Sequence, residues 1–290
     1  MKVVFRAPAV QVPTGGVTAY FALAQLLRSM GQQAVVVSDP GLETWFLPPD
    51  IESDWQQVGS VGMERGDVLV TPEWWSSFAA EAGQARIVPY CQGAFDVQFA
   101  GYCLAISRFT RQWALARGGA PVVLVERILT PFWQAPPGST RRNGVLVVPG
   151  PAKNAGKNLA EIAHELRNRG VQVTVAQPTM KPDELRDLLW SHEVYLGLSY
   201  PEGLDMVCQE AMACRCAVVA YSGGGRSDYL WHEQTGLAVQ DGNWSGIVKE
   251  TLRMLNNDAF SRRLVDSAET AINRYRTNGN AQAARFLEWL

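Results

Sequence analysis

Short apolar runs rich in β-branched residues alternate with helix-length patterns along nearly the whole chain, and no other feature narrows the fold as much. The strand-like runs of the first half are Val3–Phe5, Ala34–Val37, Val68–Val70, Ile87–Pro89, Cys103–Ile106 and Val122–Val125. Those of the second half are Gly144–Val148, Val171–Val175, Val194–Leu198, Ala217–Ala220 and Gly236–Val239. Helical periodicity falls between them, at Val17–Met30, Phe109–Ala116, Leu159–Arg169, Pro182–Trp190 and Met206–Ala213. A strand that is apolar at consecutive positions has to be buried on both faces. Helices between successive strands cover both faces of a parallel sheet. The pattern therefore predicts an α/β chain built of doubly wound domains.

One polar, Pro- and Gly-rich run, Gln134–Asn143, interrupts the rhythm and reads as a linker. It predicts a first domain over 1–133, a linker over 134–143 and a second domain over 144–290, both of ordinary size. The segment from Trp244 to Leu290 is almost wholly helical in pattern and reads as a tail of the second domain.

Composition removes several function classes. An apolar fraction of 47% with 19% charged residues excludes a mainly disordered chain. A net charge of −2 disfavours a polyanion-binding protein without excluding a nucleic-acid partner. Five cysteines (Cys91, Cys103, Cys208, Cys214, Cys216) form no disulfide framework, and Cys214-x-Cys216 has no second pair or nearby His to make a zinc site. His164, His192 and His232 are not at ligand spacing, so no metal is expected. The N-terminus shows no long apolar segment of a signal peptide, and no stretch reaches the roughly 18 apolar residues of a membrane span. A soluble, cytoplasmic chain is the expectation. Arg108, Arg111 and Arg117 with Phe109 and Trp113 raise a peripheral contact with anionic lipid, although an ordinary exposed helix face explains them better. Trp74 and Trp75 suit ligand stacking or packing, with packing preferred.

Two loops carry candidate chemistry. Gly15 and Gly16, between the first strand and helix, let backbone amides approach an anion, but the spacing is not the G-x-G-x-x-G of dinucleotide folds. The second loop, Ser199-Tyr200-Pro201-Glu202-Gly203-Leu204-Asp205, follows a strand at the carboxyl end, where open α/β sheets bind ligands. Asp205 reads as an N-cap for the helix from Met206. The amides of Leu204 to Val207, at the positive helix end, suit a phosphate. Glu202 in the loop and Glu210 in the helix are carboxylates fit to accept hydrogen bonds from sugar hydroxyls.

The ordered combination of Glu202-x7-Glu210, Ala211-Met212-Ala213, the strand Ala217–Ala220, Ser222-Gly223-Gly224-Gly225 and Thr235-Gly236-Leu237 resembles retaining glycosyltransferases of the GT-B fold, family 4. Weaker similarity runs over nearly the whole chain. The resemblance implies two Rossmann-like domains facing a central cleft and a metal-independent transfer of sugar from a nucleotide-diphosphate sugar, a co-substrate rather than a cofactor. It implies that Glu202 lies beside the transferred sugar and Glu210 binds the ribose hydroxyls. It implies that Gly203, Leu204, Asp205 and Met206, with Gly15 and Gly16, hold the donor. Lys157 matches the family's lysine that neutralises the departing diphosphate; the preceding arginine is missing, and Lys153 is its candidate substitute. Gln92 falls near where many members have a sugar-contacting His, and Ser107 where many have a serine beginning a helix. Asp205 and Arg215 stand where glycine is common, and Asp228 where an acid is frequent. The acceptor is expected to be a saccharide, a lipid-linked sugar or a small molecule. The missing arginine and Asp205 leave a binding module without transfer activity as an alternative, beside an epimerase or hydrolase of the same fold.

Overall fold

The computed structural model describes residues 1–99, 101–135, 143–149, 158–177 and 179–290. The chain divides into two compact units, Met1–Thr130 with Tyr275–Leu290, and Pro131–Arg274.

The first unit holds a seven-stranded, wholly parallel sheet. Its elements are β1 (Lys2–Arg6), α1 (Gly15–Ser29), β2 (Gln33–Ser38), β3 (Gln56–Gln57), β4 (Val68–Thr71), β5 (Arg86–Cys91), β6 (Gly101–Ala105), α2 (Arg108–Leu115) and β7 (Gly119–Leu124). The strand order is β3-β2-β1-β4-β5-β6-β7, so the winding reverses between β1 and β4. Val4 pairs with Val35 on one side and Leu69 on the other, and Val3, Val4 and Phe5 are at most 1% exposed. Burying such a side chain contributes about 1.5–3 kcal/mol, which is why unbroken apolar runs end up in the sheet centre.

The second unit holds a five-stranded parallel sheet in the order β12-β11-β10-β8-β9. Its elements are β8 (Asn143–Val147), α3 (Leu159–Asn168), β9 (Val173–Val175), α4 (Pro182–Ser191), β10 (His192–Gly197), α5 (Met206–Ala213), β11 (Ala217–Tyr221), β12 (Leu237–Val239), α6 (Trp244–Leu255) and, as far as Arg274, α7 (Asp258–Thr277). Here the winding reverses between β8 and β10, and the segment Ser199–Asp205 leaves the carboxyl end of β10 at that switch point, the usual ligand position in open α/β sheets. Val145, Val147, Val194, Leu196, Val219 and Leu237 form the centre of its core.

The C-terminal segment departs from the expectation. A final helix, α8 (Gly279–Trp289), belongs to the first unit and not to the second, and the second unit's chain begins at Pro131. The reason is burial. Ala283 and Phe286 are fully buried, Gln282 Oε1 accepts the Glu126 amide, and Gln282 Nε2 donates to the Glu126 carboxylate at 2.8 Å. Helical periodicity tells that a face must be covered but not which sheet covers it.

Candidate functional site

Asp205 caps α5 at φ +60°, in the left-handed region that residues with side chains avoid. Its carboxylate holds that backbone in place. Oδ1 accepts the Cys208 amide at 3.1 Å, and Oδ2 accepts from Arg226, at 2.6 Å from Nε and 2.5 Å from Nη2. The Arg226 side chain is wholly buried and that of Asp205 is 6% exposed. Arg226 also donates from Nη1 to the Ser199 and Tyr221 carbonyls, at 2.6 and 3.2 Å, and from Nη2 to Ser199 Oγ at 3.1 Å. A buried guanidinium is tolerable only when paired and hydrogen-bonded, and every nitrogen of this one has an acceptor. Burial opposes its charge, yet the neighbouring groups, Asp205 foremost and Glu202 among them, hold its pKa above the ordinary value. Asp205, expected both as the N-cap and at the donor, has its carboxylate in the helix cap and on Arg226. Sequence reasoning passed over Arg226, because one arginine inside a glycine turn makes no pattern.

Two more contacts fix the loop. The Tyr229 hydroxyl donates to the Leu204 and Asp205 carbonyls, at 2.7 and 2.9 Å. The Gly225 amide donates to the Glu202 carbonyl at 2.8 Å, and Glu202 forms a parallel bridge with Gly224. Gly224 has φ +77°, and a Cβ there would lie 1.9 Å from the Glu202 oxygen, so only glycine fits. Gly203 and Leu204 are buried, Met206 is half-buried at the helix start, and Glu202 is half-buried on the clamped loop. Glu210 lies in the second turn of α5, 6% exposed, with α5 packed on β10, β11 and α4. The structure thus gathers Glu202, Gly203, Leu204, Asp205, Met206 and Glu210 into one stretch of backbone. Such a stretch presents a helix N-terminus, whose partial positive charge attracts an anion, between two carboxylates that accept hydrogen bonds.

In the first unit, Gly15 and Gly16 are the first residues of α1, whose N-cap Thr14 makes no side-chain cap. Gln92, after β5, donates from Nε2 to the Gly16 carbonyl at 3.3 Å. A Cβ on Gly16 would come within 2.1 Å of Gln92 Oε1, so the bare backbone lets Gln92 lie against the turn. Gln92 is itself anchored by Glu73, a residue that the sequence reading missed. Glu73 is 2% exposed, and its Oε1 accepts the Gln92 amide and, at 2.5 Å, the Gly93 amide. A lone acid after a strand carries no sequence signal; its position beyond β4, at the winding reversal, is visible only in the fold. Burial, reinforced by the Glu73 charge, pushes the Tyr20 hydroxyl and the Cys91 thiol well above their ordinary pKa.

Other sequence-derived candidates resolve as follows. Lys153 and Lys157 lie outside the described residues. Ser107 begins α2 as its N-cap, in a capping box with Thr110. Arg117, just beyond α2, stacks over Trp113 at 3.6 Å, and on α2 Arg111 Nε donates to the Val122 carbonyl at 3.2 Å. Arg215, at φ +63°, pairs with Asp266 at 2.6 Å and with Glu269. Asp228 is buried beside the glycine turn, and the Arg274 guanidinium donates to its carbonyl at 2.8 Å. Trp74 is part-exposed, edge-on to Phe95 at 5.7 Å. Among the described residues no group of three or more His, Cys, Asp or Glu is placed to hold a metal, and no helix is long and apolar enough to cross a membrane.

Residues 134–271 match the model of a family described as glycosyl transferases group 1. The N-acetyl-alpha-D-glucosaminyl L-malate synthase of Bacillus anthracis is 26% identical over 92 residues; that alignment spans 32% of this chain and 24% of the relative. Among solved structures, Anabaena Alr3699/HepE in complex with UDP and glucose aligns over 100% of both chains, with TM-score 0.74 and 15% identity. The sucrose-phosphate synthase of Thermosynechococcus elongatus aligns over 99% of this chain and 98% of its own, with TM-score 0.71 and 14% identity. At such identities the structural likeness establishes the fold. The chain therefore has the two-sheet GT-B fold, and its residues 134–271 are similar to the glycosyl transferases group 1 family.

Proposed function

We propose that this protein is a metal-independent glycosyltransferase that moves a sugar from a nucleotide-diphosphate sugar to an acceptor with retention of anomeric configuration. The observation that carries this reading is the clamped Ser199–Glu210 stretch, with its two carboxylates, at the carboxyl end of β10 inside the matched domain. In this reading Glu210 accepts hydrogen bonds from the ribose hydroxyls and Glu202 lies beside the transferred sugar. The N-terminus of α5, with the backbone of Gly203, Leu204 and Met206, takes the diphosphate. In the first unit Gly15 and Gly16 present amides suited to an anion and Gln92 an amide suited to a sugar hydroxyl, and Lys157 and Lys153 neutralise the charge that develops as the diphosphate leaves. The leaving phosphate then accepts the acceptor's proton on the face where the new bond forms, which gives retention without a covalent intermediate.

The first donors to test are UDP-sugars, because the Anabaena neighbour is described bound to UDP and to UDP-glucose. The acceptor class is a saccharide, a lipid-linked sugar or a small molecule. Malate belongs among the first small acceptors, since the B. anthracis relative's name joins a glucosaminyl group to L-malate. The five cysteines are buried free thiols, in keeping with the cytoplasm as the compartment. Peripheral membrane contact through α2 remains part of the proposal only for a lipid-linked acceptor.

Transfer from radiolabelled UDP-sugars over an acceptor panel tests the reading, with the anomer of the product read by NMR. Glu202→Gln is expected to lower kcat about a hundredfold. Glu210→Ala is expected to raise the donor KM roughly tenfold or more, the loss of hydrogen bonds to a charged group. Full activity in either variant refutes that assignment, and an inverted product refutes retention. Donor binding with no turnover over the whole panel would match the alternative, a nucleotide-sugar-binding module.

A further inference from the structure

We infer that Arg226 is a positioning residue that holds Glu202 in its working geometry, a conclusion that rests on the function proposed above for Glu202. The loop from Ser199 to Asp205 leaves the sheet at one end and enters α5 at the other, and one guanidinium grips both ends. It takes the Ser199 carbonyl and hydroxyl at 2.6 and 3.1 Å, and the Asp205 carboxylate at 2.6 Å. A loop tied only at its ends by its own backbone samples many conformations. A planar fork with fixed donor directions, bound to both ends, removes most of them. The element that carries Arg226, the 225–228 turn, also presses the Gly225 amide onto the Glu202 carbonyl. The charge itself is sealed off, since the Arg226 side chain has no exposed surface, so it acts on ligand only through the loop.

The arrangement separates two roles. Glu202 is on the loop that Arg226 holds. Glu210 is on α5, which is fixed by its own burial against β10 and β11. Loosening the clamp is therefore expected to disturb the reacting centre more than the ribose contact.

The test compares the wild type with Arg226→Met, Arg226→Lys and the double variant Asp205→Gly/Arg226→Met. The double variant removes both buried charges and places glycine at the positive φ, so it keeps the fold measurable where the single variant leaves Asp205 unpaired. Two readouts are taken: hydrogen exchange over peptides spanning 199–205 and over β10, and steady-state kinetics with UDP-sugar donors. In the double variant, exchange in 199–205 is expected to rise at least tenfold while β10 stays protected. kcat is expected to fall at least tenfold, by a larger factor than the donor KM rises, although the same loop's backbone also meets the diphosphate. Arg226→Lys, which keeps the charge but not the fork, is expected to fall between wild type and the double variant. Unchanged exchange in 199–205, or loss of thermal stability with kcat preserved in the folded protein, overturns the inference. A wild type that binds no nucleoside diphosphate and transfers no sugar overturns the parent reading instead, and the exchange result then still decides whether Arg226 holds the loop.

Discussion

Gly224 is the residue on which the loop geometry is most sensitive. Its φ of +77° and the 1.9 Å gap that a Cβ would leave to the Glu202 carbonyl both forbid a side chain. Gly224→Ala is expected to lower stability by about 2–4 kcal/mol, from backbone strain plus displacement of the bridged Glu202 loop, measured as the urea midpoint at unchanged m. Removing the Tyr229 hydroxyl is a milder perturbation. Tyr229→Phe takes the hydroxyl donor from the Leu204 carbonyl, and from the Asp205 carbonyl one donor besides the Gln209 amide, and is expected to cost about 1–2 kcal/mol, again in urea. At the same scale, His192 gives the chain a pH dependence. Its Nδ1 donates to the Leu188 carbonyl at 2.7 Å, and its Nε2 accepts from Thr174 Oγ1 at 2.8 Å. Burial lowers its pKa, so the folded chain holds fewer protons there than the unfolded chain. This contribution is therefore complete above the unfolded value of about 6.5 and lost as pH falls toward the folded value. The urea midpoint is expected to drop from pH 7.5 to 5.5, with a shallower drop in His192→Gln; an equal slope in both would show that another group is responsible.

At the scale of elements, the apolar strands and the helices between them were legible because burial on both faces leaves unbroken runs such as Val3–Phe5 and Val194–Leu198. β3 was not legible: it is two exposed glutamines at the sheet edge, and an edge strand of that length needs no apolar residue. The start of α5 at Met206 was legible because Asp205 is a good cap, but the second use of that carboxylate was not. A side chain's partner across a turn depends on three-dimensional packing, and Arg226 lies 21 residues further along the chain. Glu73 was hidden for the same reason. The home of α8 was also illegible, since periodicity is silent on which sheet a helix joins. That assignment has a consequence. Phe286→Ala empties a wholly buried site and is expected to cost about 3–5 kcal/mol. Hydrogen exchange is expected to speed up in β1, α1 and β7 and to leave β10 and β11 unaltered. Faster exchange in the second unit's strands would contradict the assignment.

At the scale of the molecule, two sheets of different winding share one chain, and the matched domain carries the loop and helix that the proposed chemistry needs. The central claim is that α5 and its clamped entry loop bind a nucleoside diphosphate, with Glu210 on the ribose. Isothermal titration of UDP into the wild type and the Glu202→Gln and Glu210→Ala variants tests it most directly. The account predicts binding to the wild type, affinity within about threefold for Glu202→Gln, and a loss of tenfold or more for Glu210→Ala, about 1.4 kcal/mol or beyond. Equal affinity in wild type and Glu210→Ala, or no binding of any nucleoside diphosphate to the wild type, would contradict it.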